Sequence, residues 1–462
     1  MAIARLLVAN RGEIAVRIIR AARELGIQTV AVHSEADRDS LAVRMADMVM
    51  PIGPAAAAKS YLNADVLLKA ALDSGADAVH PGYGFLSENA AFAERVEGAG
   101  LTFVGPTPES IRTMGNKSLA RATAAKAGVP CVPGSDGVVE TIDAAVASAG
   151  AIGWPIMIKA SAGGGGRGIR VASDADELRS QMVMAQTEAQ AAFGDRSVYL
   201  ERFIRRARHV EVQVLGDGRD AVHCFERECS LQRRRQKILE EAPSPALSPE
   251  TRTRLCESAV QLARSVGYRG AGTLEYLYDD QSGEFFFIEM NTRIQVEHPI
   301  TEMITGIDLV REMIRIAGGE PLRFRQSDIA MRGVAIECRI NAEDPERNFM
   351  PSPGKVTEVI LPGGPGVRID SMLYPGYTVP PWYDSLLAKL VVHAEDRPAA
   401  IARMRRALGE LRIEGVKTTR GLHLTLMDEP RFQAGDFDTN ALEGWLAARA
   451  APVPASVSTT PS

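Results

Sequence analysis

Between Glu289 and Glu297 the chain alternates without a break: Glu289, Asn291, Arg293, Gln295 and Glu297 carry charged or amide side chains, while three of the four residues between them are apolar. In an extended segment successive side chains face opposite ways, so the five polar groups share one face. A strand on a solvent edge has the same pattern, but what precedes this one argues for more. Residues 270–280 and 284–289 read as two strands joined by Gln281-Ser282-Gly283, an antiparallel hairpin with a three-residue loop. If Asp280 pairs with Glu284, Glu275 stands opposite Glu289. Opposed Cβ atoms lie roughly 4.5–5.5 Å apart, where two like charges destabilise the sheet. Either one carboxylate keeps a proton at an elevated pKa, or a hard cation sits between them; magnesium carrying a nucleotide is the favoured reading. Asn291, about 6.5 Å further along that face, is within reach of the same ion or its phosphates. Glu297 lies about 26 Å from Glu289 if the segment stays extended, so it serves another reactant or the chain curls.

The rest of the composition fits an enzyme of that kind. A chain of 462 residues, 45% hydrophobic and 24% charged, has room for two or three domains with ordinary soluble cores. A formal charge of -5 gives no support to a nucleic-acid or anionic-membrane partner. Arg5 interrupts the apolar N-terminus, and the longest uncharged stretch, 144–158, is too short to span a bilayer, so a cytoplasmic location is expected. The five cysteines form no CxxC pair and read as reduced thiols.

Along the N-terminal third, apolar strands at 3–9, 28–33, 76–80 and 101–105 alternate with helical segments, the first of them 14–25. That order predicts a parallel sheet with helices on both faces, Rossmann-like, although the first turn lacks GxGxxG. The turn His80-Pro-Gly-Tyr83-Gly-Phe-Leu-Ser-Glu88-Asn follows a strand, where such sheets place ligands. Further on, two apolar strands flank Gly163-Gly-Gly-Gly166-Arg167-Gly168. Such a hairpin tip brings backbone N–H groups close to phosphates because no Cβ intervenes. Lys159 precedes the glycines and no GK[ST] closes them, so this is a flap and not a P-loop. The boundaries read as 1–114 for the N-terminal α/β domain, 115–134 for a linker and 135–204 for a lid. A large domain follows over 205–446, then a disordered tail over 447–462, rich in Pro, Ser and Thr from Ala451.

Several of these motifs occur together and in one order: Val8-Ala-Asn-Arg-Gly-Glu-Ile-Ala15, the 80–89 turn, the glycine flap, Glu289–His298 and Glu337-Cys-Arg-Ile-Asn-Ala-Glu-Asp344. The chain thereby resembles the biotin carboxylase components of biotin-dependent carboxylases, a branch of the ATP-grasp superfamily. The fold so implied is an N-terminal α/β domain, a mobile glycine-rich lid and a C-terminal α+β ATP-grasp domain.

The resemblance implies ATP phosphates near Lys117, Lys159, Gly165 and Gly166, and adenine near Glu201, Arg202, Phe203 and Ile204. It puts His209 and Gln232 at the adenosine end, with Arg235 beside the nucleotide where relatives usually carry His or Asn. Magnesium, or manganese, falls to Glu275, Glu289 and Asn291, and bicarbonate to Lys237, Arg293, Gln295 and the backbone of Val296. Glu297 is implied as the base that deprotonates bicarbonate, Arg339 as the cation that steadies the biotin oxyanion, and Tyr83 as a wall of the biotin pocket. A fixed, permanently charged guanidinium suits an oxyanion.

The chemistry implied runs from bicarbonate and ATP to carboxyphosphate, then to CO2 captured by biotin. No biotinylated Met-Lys-Met site is present, so biotin is expected on a separate carrier protein, with carboxyltransferase subunits that choose among acetyl-CoA, propionyl-CoA, pyruvate, urea or another acceptor, foremost acetyl-CoA for fatty acid synthesis. A homodimer is implied, with Arg20, Glu24 and Arg368 retained at its surface and Pro365 in place of an aromatic residue. Ala162 begins the flap where a further glycine is frequent. Two other readings stand beside this one. Another ATP-grasp carboxylate–amine ligase would not need Arg339 or the 293–297 pocket, and a non-catalytic nucleotide-binding subunit would have lost its catalytic side chains.

Overall fold

Leu6, Leu7 and Val8 offer no polar face, and in the computed structural model, which describes residues 3–160, 169–193 and 195–450, they form a strand buried on both sides. This strand, β1 (Arg5–Val8), lies in a five-stranded parallel sheet with β2 (Gln28–His33), β3 (Met48–Pro51), β4 (Ala78–His80) and β5 (Thr102–Phe103), ordered β3-β2-β1-β4-β5. Leu6 and Val8 enter one apolar core with Ile14 and Ile18; Leu7 enters another with Val30, Phe92 and Phe103. Burial of both faces is the reason the strands read as continuous apolar runs. The helix Gly12–Glu24 returns the chain from β1 to β2. The sequence reading missed β3, whose residues are mostly exposed.

Two compact units emerge from the chain: Pro130–Ala207 with Leu277–Ile288, and everything else. The smaller unit holds a three-stranded antiparallel sheet of β6 (Ile156–Ala160), β7 (Ile169–Ala172) and β8 (Val198–Arg202), ordered β7-β6-β8. Its helices Ile142–Ile152 and Ala175–Phe193 supply Ala145, Ala149, Leu178 and Met182 to a core with Ile156, Ile158 and Leu200. The glycine hairpin is therefore present as β6 and β7, with Lys159 opposite Ile169. Its tip, including Ala162, Gly165 and Gly166, lies outside the described residues.

The largest sheet among the described residues has eight strands. Its members are β9 (Ala207–Asp217), β10 (Ala221–Arg233), β11 (Gln236–Ala242), β12 (Arg269–Asp279), β13 (Phe285–Asn291), β14 (Val334–Asn341), β19 (Val367–Ser371) and β21 (Leu386–Ala394), ordered β13-β12-β9-β10-β11-β14-β21-β19. Three short ladders accompany it: β15 (Glu343–Asp344) with β16 (Met350–Pro351), β17 (Gly354–Lys355) with β20 (Thr378–Val379), and β18 (Glu358–Ile360) with β22 (Arg412–Glu414). Apolar residues of β14 and β21, Ile336, Cys338, Ile340, Leu390 and Val392, anchor one core.

Three details differ from the sequence reading. A helix, Lys117–Lys126, occupies part of the segment read as linker. The helix Ala441–Ala450 runs past residue 447, where the tail was expected to begin, and residues 451–462 lie outside the described residues. The 270–289 hairpin closes with Asp279 N–H donating to Glu284 O at 2.8 Å, so its loop has four residues instead of three, and the count that set Glu275 opposite Glu289 fails at the turn.

Candidate active site

At the carboxyl ends of β1 and β4 two motif loops are stitched together. Asn10 Nδ2 donates to the carbonyls of Pro81 and Tyr83 at 2.6 and 2.8 Å. That approach requires Gly82, whose φ is +63° and whose Cβ, if it had one, would lie 2.9 Å from Asn10 Nδ2. Tyr83 is thereby presented with its hydroxyl donating to Glu13. Glu88, at the end of the same turn, accepts from Thr292 N–H at 3.1 Å and Arg293 Nε at 2.9 Å. The turn therefore aims Arg293.

The alternating segment is not one strand. Strand β13 ends at Asn291, the chain curls through 292–297, and a helix begins at His298. Thr292 and Ile294 are buried by the curl, and Glu297 comes round to the same cation as Glu275. Lys237 Nζ lies 3.1 Å from Glu275 and 2.7 Å from Glu297, and also pairs with Glu211. This settles the 26 Å difficulty in favour of a curl.

Glu275 is met by protein cations. Burial would raise its carboxyl, but Lys237 and His209 more than offset that and hold it below the usual carboxylate range. Protein cations thus act on Glu275 in addition to the proton or metal that the sequence reading weighed. His209 Nε2 is 3.0 Å from Glu275, and Asn291 and Gln295 donate to Glu275 at 2.8 and 3.0 Å. Glu289 is partly exposed, 3.6 Å from Lys117.

Behind this cluster lies Arg227, fully buried. Its guanidinium donates to Glu211 at 2.7 Å, Gln213 at 2.7 Å, Thr301 at 2.9 Å, Thr273 at 3.1 Å and Gln295 at 2.8 Å. Every N–H direction of the fork is used, so Glu211 and Gln295 are held rigidly. Arg339 donates through Nε to Glu240 at 2.7 Å and through Nη2 to Glu297 at 2.9 Å. Lys389, wholly buried, donates to the Val296 carbonyl at 3.0 Å and pairs with Glu13 at 3.1 Å. Burial would push Lys237 down, but Glu211, Glu297 and Glu275 hold it well above its ordinary value. Glu297, which burial would raise, is held well below the carboxylate range by Lys237, Arg339 and Arg227.

A cavity of about 790 Å³ collects most of the residues expected to act: Tyr83, His209, Gln232, Arg235, Lys237, Glu275, Glu289, Asn291, Arg293, Gln295, Val296, Glu297 and Arg339. His209 Nδ1 is 2.9 Å from Gln232 Nε2. Arg235 is exposed and, with Arg234, has positive φ at the two-residue turn between β10 and β11, a conformation usually filled by Asn-Gly. Lys117, 83% exposed, opens the helix Lys117–Lys126.

In the smaller unit Lys159 pairs with Glu201. Arg202 reaches Glu284 at 3.1 Å, Phe203 N–H donates to Pro155 O at 2.8 Å, and Ile204 is buried with Val132, Ala207 and Phe286. Gly165 and Gly166 lie outside the described residues.

The donors of Glu275, Glu289 and Asn291 are hard oxygens, the set a magnesium ion takes. They line one cavity, and Glu289 has a carboxylate accessible from it, so these residues fit such an ion. Among the described residues, His209, Glu211 and Glu275 also bring ligand atoms within 4.8 Å of one another, as do Glu211, Cys229 and Glu297. Lys237 already sits on all three of those carboxylates. Arg227, Glu211, Glu240, Lys389, Glu13 and Glu88 are the site residues the sequence reading missed. For Glu211 a signal existed, since His209-Val-Glu211-Val-Gln213-Val alternates just as 289–297 does.

A Rossmann-like parallel sheet, a small unit built on a glycine hairpin, and a large antiparallel sheet lined with acids and cations define an enzyme of the ATP-grasp class. The comparisons carry this further. Residues 2–111 match the family described as biotin carboxylase, N-terminal domain; residues 116–325 match the carbamoyl-phosphate synthase L chain, ATP binding domain; and residues 337–444 match the biotin carboxylase C-terminal domain. The chain is 55% identical to biotin carboxylase 1 of Bacillus subtilis over 96% of its own length and 98% of that protein. It superposes on the biotin carboxylase domain dimer of Hydrogenobacter thermophilus 2-oxoglutarate carboxylase, solved with MgADP, ADP and bicarbonate, with a TM-score of 0.86, 47% identity and coverage of 98% and 100%. On the biotin carboxylase subunit of pyruvate carboxylase the TM-score is 0.90, with 48% identity and the same coverage. The chain belongs to the biotin carboxylase family.

Among the described residues no helix is long and apolar enough to cross a membrane. Cys224, Cys229, Cys256 and Cys338 are buried thiols.

Proposed function

We propose that this chain carboxylates biotin on a separate carrier protein, using ATP and bicarbonate, in the first half-reaction of a biotin-dependent carboxylase. The observation that carries the proposal is the convergence of Lys237, Arg293, Gln295, Glu297 and Arg339 in one cavity with Tyr83. Bicarbonate is a weak nucleophile; a cationic pocket holds its oxygen in line with a γ-phosphate and excludes water from the transfer. An oxygen of bicarbonate bonds to the γ-phosphorus as ADP departs, and the carboxyphosphate formed breaks into CO2 and phosphate. The ureido nitrogen of biotin passes its proton to the released phosphate and bonds to the CO2 carbon.

Glu297 is anionic before bicarbonate arrives, as a base must be, but Lys237 and Arg339 make it a weak one. In this reading its basicity rises when those cations turn toward substrate. Arg339 carries a permanent charge suited to the ureido oxygen. Glu275, Glu289 and Asn291 would hold magnesium, whose charge offsets that of the phosphates. Lys117, Lys159, Glu201, Arg202, Phe203, Ile204, His209, Gln232 and Arg235 are assigned to the nucleotide, with Gly165 and Gly166 of the flap.

The partners belong to the same proposal: a biotin carboxyl carrier protein, carboxyltransferase subunits and a second copy of the chain, in the cytoplasm. Arg368 is already bound to Glu302 at 2.7 Å and to Asp370 at 2.8 Å, so its part in a dimer is to stiffen the surface from within. The carboxyltransferase chooses the acceptor, and we take acetyl-CoA as the first to test against pyruvate and 2-oxoglutarate. The deciding experiment is phosphate release from ATP with bicarbonate, with and without free biotin. Release that rises with both supports the proposal. Release indifferent to both defeats it and favours another carboxylate-activating ligase.

A further inference from the structure

A directly opposed pair of carboxylates lies in the middle of the eight-stranded sheet. In the β11–β14 ladder Glu240 is the direct partner of Glu337, and both are wholly buried. Directly opposed Cβ atoms are roughly 4.5–5.5 Å apart. Two residues on from Glu337, on the same face of β14, Arg339 donates to Glu240 Oε1 at 2.7 Å and turns its Nη2 to Glu297. Glu240 Oε2 and both oxygens of Glu337 have no hydrogen-bond partner among the described residues.

The neighbouring cations are committed elsewhere. Lys389, from β21, goes to Glu13, Asp370 and the Val296 carbonyl, and Lys237, from β11, to Glu211, Glu275 and Glu297. His298, on the helix packed against this part of the sheet, is held well below its ordinary range by burial and by Lys389, Arg17 and Arg368, and burial lowers His423, whose Nε2 meets the Arg339 carbonyl, to about 4. Neither ring supplies positive charge at neutral pH. Arg339 is thus the cation bonded to Glu240, and among the described residues no donor bonds to Glu337, which Lys389 and Arg339 reach only by longer-range attraction.

We propose that Glu240 and Glu337 share a single proton held on Glu337, and that this leaves Glu240 as the lone anion that positions Arg339 against Glu297. Two buried carboxylates at such spacing cannot both stay ionised without a cation between them. A proton on Glu337 removes the repulsion and keeps the Arg339–Glu240 bond charged, the stronger form of that bond. Burial raises Glu337 well above the carboxylate range, and raises Glu240 to about 7 with Arg339 drawing it back. Glu240 and Glu337 are positioning residues acting through Arg339. The kinetic consequence rests on the carboxylase reading above; the protonation does not.

The experiment pairs infrared spectroscopy of the full chain at neutral pH with steady-state kinetics on free biotin. A protonated-carboxyl C=O band should be present and should lose intensity in Glu337→Gln, which replaces one neutral group by another. Glu240→Gln takes the anion from Arg339 and is expected to lower kcat for biotin carboxylation by about tenfold or more, a charged hydrogen bond being worth roughly 1.5–3 kcal/mol. Its KM for ATP should move little, while Glu337→Gln loses no more than about threefold in kcat. Absence of the band, or equal losses in the two variants, overturns the proposal. If Glu240→Gln does not fold, the band and its loss of intensity in Glu337→Gln still decide. A wild-type protein that shows the band yet never carboxylates biotin would defeat the functional reading and leave the shared proton standing.

Discussion

Two groups of buried glutamates lie in the same sheet, and they ionise in opposite directions. Around Lys237, Glu211, Glu275 and Glu297 are drawn onto one ammonium, and the carboxyls of Glu275 and Glu297 fall below the ordinary range. On β11 and β14, Glu240 and Glu337 face each other with one guanidinium between Glu240 and Glu297, and their carboxyls rise. Both groups are buried, so burial does not distinguish them. What differs is the number of cations that reach each carboxylate. In the proposed reading the cation-rich group is a pocket for an anionic substrate, and the cation-poor group is a strut.

The largest effect should come from removing the cation behind the first group. Arg227→Met leaves Glu211 with Lys237 as its remaining cation and Gln295 Oε1 without its donor in a buried site, and a broken buried ion pair costs about 3–5 kcal/mol. Chemical denaturation should show a loss of that size; a loss under about 1 kcal/mol would mean the network relaxes, and would erase the contrast with exposed ion pairs. Next, Arg339→Ala should reduce biotin carboxylation by about a hundredfold, the usual scale for one lost donor to a developing oxyanion. Bicarbonate-dependent phosphate release should fall much less, and comparing the two rates in one preparation checks the assignment.

The pH dependence sharpens the comparison further. Glu275 and Glu297 have folded pKa values below the unfolded value of about 4.3, so their stabilisation is present above that pH and is lost as pH falls through the folded values. Glu337 is raised, so it works the other way: the fold weakens as pH climbs from about 4.3 toward its folded pKa. Denaturation midpoints of Glu337→Gln against the parent protein should therefore diverge in favour of the variant as pH rises. Parallel curves would remove the distinction between the two groups.

Smaller still is the effect expected at Glu88, which is partly exposed. Glu88→Gln weakens its hold on Arg293 and should raise the KM for bicarbonate by roughly threefold to tenfold, with kcat little changed. Smallest is the stability effect of Lys159→Gln in the smaller unit, no more than about 1 kcal/mol, because its ammonium keeps one partner and some solvent. Thermal unfolding measures it, and a loss as large as that of Arg227→Met would show that the number of partners is not what matters.

Much of this was legible in the chain. The apolar runs at 3–9 and 28–33 and the glycine hairpin appear as strands where periodicity puts them, because those signals are local. The alternation at 289–297 marked residues that line one cavity, but it was read as one strand when it is a strand end and a curl. Alternation reports only which face is buried, and a chain that curls around Ile294 buries alternate residues just as a strand does. The same pattern in His209-Val-Glu211-Val-Gln213 passed unused, since nothing local says that a guanidinium eighteen residues beyond His209 will satisfy Glu211.

Residue order alone determined the alternating layers, the glycine flap and the family to which the chain belongs, because propensity, periodicity and motif order are properties of neighbours. The tertiary structure alone decided which carboxylates meet a cation. Lys237 reaches Glu211, Glu275 and Glu297 across separations of 26, 38 and 60 residues. The ionisation of a buried acid depends on charges a few ångströms away in space, and those distances exist only once the strands have paired.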